Sequence, residues 1–141
     1  MTVTEFRAKH SELIAYYQYI EMRLKGICAA LPDGEDKGWL ERLDDFDLEP
    51  MGKMIRIIRT YQTKNNVTLF SEEDLSSLDS VRESRNYWVH QCFVGFTPVT
   101  FGKGLVKKTD DVSRLESDFR KAVEWDDNLA RMCLDIIRPV I

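Results

Sequence analysis

The chain contains two histidines, His10 and His90, the side chains able to exchange a proton near neutral pH without a large shift. Acid–base chemistry is therefore sought around them first. Around His90 the sequence reads Arg85-Asn86-Tyr87-Trp88-Val89-His90. On a helix Asn86 and His90, four residues apart, share a face, and Arg82 lies one turn earlier on that stripe. Arg85 falls one step round, in line with Val81, Trp88 and Cys92, so a permanent charge interrupts an apolar stripe and needs a partner, a ligand or an interface. Such a set suits chemistry at phosphate. A guanidinium fork matches phosphate oxygens, an imidazole gives or takes a proton, and a carboxamide can orient either one.

The elements that must position these residues read as helices. Thr2-x-x-Glu5 is a capping box, and behind it Leu13, Tyr17, Ile20, Leu24, Ile27 and Leu31 recur at steps of three and four up to the stop at Pro32-Asp33-Gly34. A short helix with Trp39, Leu43 and Phe46 follows. A third opens with Pro50 at its first position, carries Met51, Met54, Ile55, Ile58 and Tyr61, and ends near Asn65-Asn66. Ser71 with Glu72, Glu73 and Asp74 starts a fourth, which runs through Leu75, Leu78, Val81, Trp88, Val89 and Cys92 towards Gly95. Residues 95–110, rich in glycine and β-branched residues, predict a long loop or small hairpin exposing Lys103, Lys107 and Lys108. A last helix from Thr109 or Asp110 carries Leu115, Phe119, Ala122, Val123, Leu129, Cys133 and Ile136 or Ile137. The expected fold is all-α, an antiparallel bundle of four to five helices in a single domain over residues 1–141.

Lys+Arg number 20 against 24 Asp+Glu, a net charge of -4, so no global basic field drives indiscriminate nucleic-acid binding and any such contact must be local. No window is apolar enough for a membrane span, and MTVTEFRAKH has no apolar run of the signal-peptide kind. With three cysteines, an odd number, the expected compartment is the reducing cytoplasm.

RNYWVH resembles the Arg-x(4–6)-His signature of HEPN domains, small helical bundles found in toxin ribonucleases, phage-defence proteins and CRISPR-associated RNases, in the form with a polar residue directly after the Arg. The resemblance in length and helix order covers nearly the whole chain. It implies metal-independent RNA cleavage at a site composed where two protomers meet, with Arg85 and His90 catalytic, Asn86 supporting, RNA as substrate, no cofactor or metal, and a cognate antitoxin or regulatory protein as partner. On that reading Arg82, Lys103, Lys107 and Lys108 guide the RNA backbone. HEPN toxins paired with nucleotidyltransferase antitoxins often carry a Tyr two residues after the His. This chain has Cys92 there, so the resemblance does not extend to control by that modification.

Simpler roles exist for the same residues. His90 can be a structural histidine, and Arg85 an internal ion-pair residue with an acid of the last helix such as Asp126. His10, beside Arg7 and Lys9, reads as solvated, and Tyr16, Tyr17 and Tyr19 as packing with a partly exposed flank. Cys92 and His90 sit about 200° apart on a helix, which speaks against a thiol nucleophile or a zinc pair. The alternative function is then a non-catalytic helical module that binds a protein or a nucleotide.

Overall fold

The computed structural model describes residues 1–32, 37–90 and 109–141, the side chains of residues 3, 109 and 110 excepted. Five α-helices make up the described residues: α1 (Val3–Ala30), α2 (Trp39–Asp45), α3 (Met51–Asn65), α4 (Glu72–His90) and α5 (Thr109–Ile137), the last continued by a 3-10 turn (Arg138–Val140). The all-α bundle expected from the residue spacing is the observed architecture. None of these helices is long and apolar enough to cross a membrane.

The helix ends follow from local chemistry. Thr2 and Glu5 satisfy each other's backbone donors at 2.8 and 3.1 Å, the reciprocal arrangement of the capping box. At the other end of α1, Leu31 is extended because it precedes Pro32, whose ring disfavours helical geometry in the residue before it. Pro50 is extended and caps α3 from outside, so Met51 and not the proline is the first helical residue. Asn66 closes α3 in the left-handed conformation, which its short side chain tolerates. Gln62 Oε1 then accepts from the backbone of Leu69 and Phe70, tying down the turn into α4.

The α1 stripe is the centre of the core. Phe6, Leu13, Tyr17, Ile20, Leu24, Ile27 and Leu31 are all buried, against Met51, Met54, Ile55 and Ile58 of α3, Leu75, Leu78, Val81 and Trp88 of α4, and Leu115, Ala122, Trp125 and Leu129 of α5. Each large apolar side chain so buried stabilises by roughly 1.5–3 kcal/mol relative to exposure. Contacts climb together along α1 and α5: Tyr16 meets Phe119, Arg23 meets Asp126, and Gly26 meets Ile137, so these two helices run parallel, a departure from the antiparallel arrangement expected of the bundle. At Gly26 an added Cβ would lie 3.0 Å from Ile137 Cδ1, so the glycine permits the close approach. Helix α4 runs the opposite way to both, with His10 against Trp88 on one side and Trp88 against Asp118 and Trp125 against Ser77 on the other.

Arg42 of α2 is the charged residue that residue spacing does not announce. Buried at the end of α1, it donates to the carbonyls of Leu31 and, at 3.2 Å, of Cys28. The last turn of α1 has no basic residue of its own, so a cation from the next helix supplies the Leu31 carbonyl, adds to the Leu31 N–H on the Cys28 carbonyl and opposes the negative end of the helix.

Candidate active site

Helix α4 carries the RNYWVH segment. Its start is set by Ser71, whose hydroxyl accepts from the Asp74 backbone at 3.0 Å, and by three acids in the first turn. Its inner stripe, Leu75, Leu78, Val81 and Trp88, is buried, and this fixes the rotation of the helix. The opposite stripe is thereby turned outward: Arg82 is half-buried, Asn86 and His90 are exposed.

Trp88, between Arg85 and His90, anchors this stretch. Its indole N–H donates to Asp118 Oδ2 at 2.7 Å, and its ring packs edge-on to Tyr87 with centroids 4.9 Å apart. The Arg114 guanidinium lies 3.6 Å from the centre of the Tyr87 ring and 3.6 Å from the Asp118 carboxylate. Tyr87 O–H reaches Asp111 at 3.3 Å. These contacts turn Tyr87 towards α5 and away from the Asn86 stripe, as its place on the helix predicts.

His10 departs from the expectation of a solvated residue. It is half-buried, and its Nε2 donates to the Trp88 carbonyl at 2.7 Å, with the two rings tilted edge to face at 6.1 Å. The sequence around it misleads because Arg7 and Lys9 sit on neighbouring faces, while the partner is 78 residues away. Below, Tyr17 is buried and its hydroxyl finds no hydrogen bond of ordinary geometry among the described residues, although Ser84 and Asp118 are near. Burial first, and then the Asp118 charge, push its ionisation well above the usual phenol range.

Arg85 is half-buried, its side chain one-third exposed. One guanidinium nitrogen is 4.0 Å from Glu21 Oε2 of α1, and the other donates to Asn86 Oδ1 at 3.4 Å. The pairing of Arg85 with Asp126 is corrected: Asp126, itself buried, binds Arg23 at 2.7 Å. A contact at the 4.0 Å limit with water on one side holds a guanidinium weakly, on the order of 0–1 kcal/mol, and leaves its outer edge for a ligand. His90 makes no hydrogen bond or ion pair among the described residues. The geometry thus brings Arg85 and Asn86 into contact and sets His90 one turn beyond Asn86 on the same open face.

Arg82 reaches from α4 across α3 at Gly52, where an added Cβ would meet Arg82 Cδ at 3.0 Å and Arg56 Nη1 at 3.9 Å. Its nearest carboxylate, Asp79, is 3.9 Å away. Arg56 and Lys64, exposed on α3, escaped the sequence reading because a lone cation on a helix looks like ordinary solvation. Lys103, Lys107, Lys108, Cys92 and the expected hairpin over 95–110 lie outside the described residues. No three His, Cys, Asp or Glu side chains among the described residues are grouped to hold a metal ion. Compared with protein-family models, with curated proteins and with solved structures, the chain returns no match.

Proposed function

We propose that the chain is a HEPN-type endoribonuclease that cleaves RNA without a metal, by attack of the ribose 2′-OH on the adjacent phosphorus. That step needs a base for the 2′ proton, an acid for the leaving 5′-oxygen, and a cation for the charge growing on phosphate. Arg85 supplies the cation in the planar form that suits phosphate oxygens. His90 supplies a proton-exchanging group, and Asn86 orients Arg85 through its amide oxygen. One imidazole cannot start in both protonation states. A two-fold dimer through the exposed face of α4 adds a second His90, since a symmetric interface presents the same patch twice. The biology this implies is a cytoplasmic growth-arrest toxin or phage-defence effector kept in check by a cognate protein.

The observation that supports the reading is the contrast within one helix. Trp88 is locked from below by Asp118 and His10, while within three residues of it Asn86 and His90 are exposed and Arg85 keeps a third of its side chain in solvent. The rigid base fixes where these three side chains leave α4, and their outer edges remain available to a phosphate ligand. One contact favours the other reading, a non-catalytic module: Glu21 stands within 4.0 Å of Arg85 and partly neutralises it. Purified protein incubated with RNA in EDTA separates the two. The ribonuclease cleaves, and Arg85→Ala and His90→Ala each abolish cleavage while keeping the helical circular-dichroism spectrum. A binding module leaves RNA intact in all three forms.

A further inference from the structure

A cleft of about 900 Å³ opens between the end of α1, α2 and α3, away from the RNYWVH face. Among the described residues five cations line it, Lys37, Arg42, Lys53, Arg56 and Lys64, with one acid, Asp45, in a chain whose overall charge is negative. Three of the five are committed. Lys37 pairs with Asp45 at 2.9 Å, Lys53 with Glu49 at 2.9 Å, and Arg42 serves the carbonyls at the end of α1. Arg56 and Lys64 have no ion pair or hydrogen bond among the described residues.

These two are not scattered. Arg56, Thr60 and Lys64 follow one another at four-residue steps, a slanting stripe that rises about 12 Å along α3 at 1.5 Å per residue. At its near end both side chains pass over Gly52: a Cβ there would lie 3.0 Å from Arg82 Cδ, which reaches over from α4, and 3.9 Å from Arg56 Nη1, one turn further along α3. Arg82 in turn begins the Arg82-Asn86-His90 stripe of α4, which extends about 12 Å further by the same rise. Beside the α3 stripe the cleft exposes the half-buried rings of Tyr61 and Phe46. Cations in a row with aromatic faces alongside are what binds a single strand irrespective of sequence: the cations follow the phosphates and the rings stack on bases.

We infer that Lys64, Arg56 and Arg82 form a continuous track for single-stranded RNA, leading from the α3 cleft to the Arg85-Asn86-His90 face. This rests on the ribonuclease reading for its direction, but the track itself is a binding property. Charge complementarity selects the occupant, because Lys64 and Arg56, uncommitted among the described residues, and Arg82, paired only at 3.9 Å with Asp79, answer a polyanion and have no use for a neutral or apolar partner.

The test uses the full chain carrying His90→Ala, so that RNA stays intact, and a fluorescein-labelled 16-nucleotide single-stranded RNA, with affinity measured by anisotropy from 50 to 250 mM salt. Arg56→Gln with Lys64→Gln should weaken binding about tenfold and flatten the log–log salt slope by about 0.7 per lost phosphate contact. Arg120→Gln, an exposed cation of α5, should change neither. Cleavage of the same RNA by the chain with His90 intact is measured alongside. Unchanged affinity in the α3 double variant, or an equal loss in Arg120→Gln, overturns the track whether or not the chain cleaves, and leaves the cleft to an acidic protein segment. Charge-dependent binding without cleavage keeps the track and removes the ribonuclease. Absence of both binding and cleavage removes both.

Discussion

Asp118→Ala tests whether the polar clamp beneath the site carries real stability. Asp118 receives the indole N–H of Trp88 at 2.7 Å, and Trp88 has no exposed surface through which water could replace the lost acceptor. A hydrogen bond to a charged group is worth about 1.5–3 kcal/mol, and an orphaned buried donor costs a similar amount, counted once. The Arg114 contact at 3.6 Å adds no more than about 0.5 kcal/mol, because Arg114 is 45% exposed and screened. The expected loss is therefore about 2–3 kcal/mol, or about 6–9 °C in Tm for a chain of this size. Asp118→Asn keeps an acceptor and should lose only about 1 kcal/mol. Urea unfolding followed by circular dichroism reads both, with the midpoint moving and the slope unchanged. An Asp118→Ala midpoint within about 0.5 kcal/mol of wild type would refute the claim that this bond anchors α4.

Further expectations follow from other contacts. Arg42→Met keeps the apolar stem but strips the Leu31 carbonyl of its side-chain donor and leaves the Cys28 carbonyl with the Leu31 N–H alone, and should cost about 1–3 kcal/mol in the same urea titration; a loss under about 0.5 kcal/mol would mean water does the capping instead. Asp126→Asn should cost about 1–2 kcal/mol by uncoupling Arg23, and a double-mutant cycle with Arg23→Met should return most of that as coupling; additive losses would show the 2.7 Å pair to be idle. Burial pushes the Cys28 thiol up to about 12, so at pH 8 iodoacetamide should label it orders of magnitude more slowly than in urea-unfolded chain, as read by peptide mass spectrometry. The folded state holds that proton more tightly than the unfolded chain does. Its contribution is intact below the ordinary thiol range and disappears as pH rises from about 9 to about 12, so stability should fall across that window. Labelling as fast in native as in unfolded protein would contradict the burial.

What could be read in the residues and what could not divides by distance along the chain. The stripe from Leu13 to Leu31, the Thr2–Glu5 box and the Ser71 cap are local, fixed by helix geometry over three or four residues, and each has the predicted form in the fold. The polar contacts that brace the candidate site are not local. His10 finds the Trp88 carbonyl across 78 residues, Arg23 finds Asp126 across 103, and Trp88 finds Asp118 across 30. No spacing rule links such pairs, because they are chosen by which helices pack together. Arg85 shows both sides of this. Its interruption of an apolar stripe marks it as a charge in need of a partner, and the acid nearest to it, Glu21, belongs to α1 and not to the last helix. Arg42 carried no mark at all, since its service to α1 depends on how α2 folds back over the helix end.

The central claim is that Arg85 and His90 cleave RNA through its own 2′-OH. It is tested most directly by the ends of the products. A labelled RNA oligonucleotide and its copy with every 2′-OH replaced by hydrogen are incubated with the protein in excess EDTA, and the fragments are resolved by mass. The account predicts fragments ending in a 2′,3′-cyclic phosphate from the RNA, none from the deoxy copy, and none from either with His90→Ala. Cleavage of the deoxy copy, or fragments from His90→Ala protein at the wild-type rate, would contradict it.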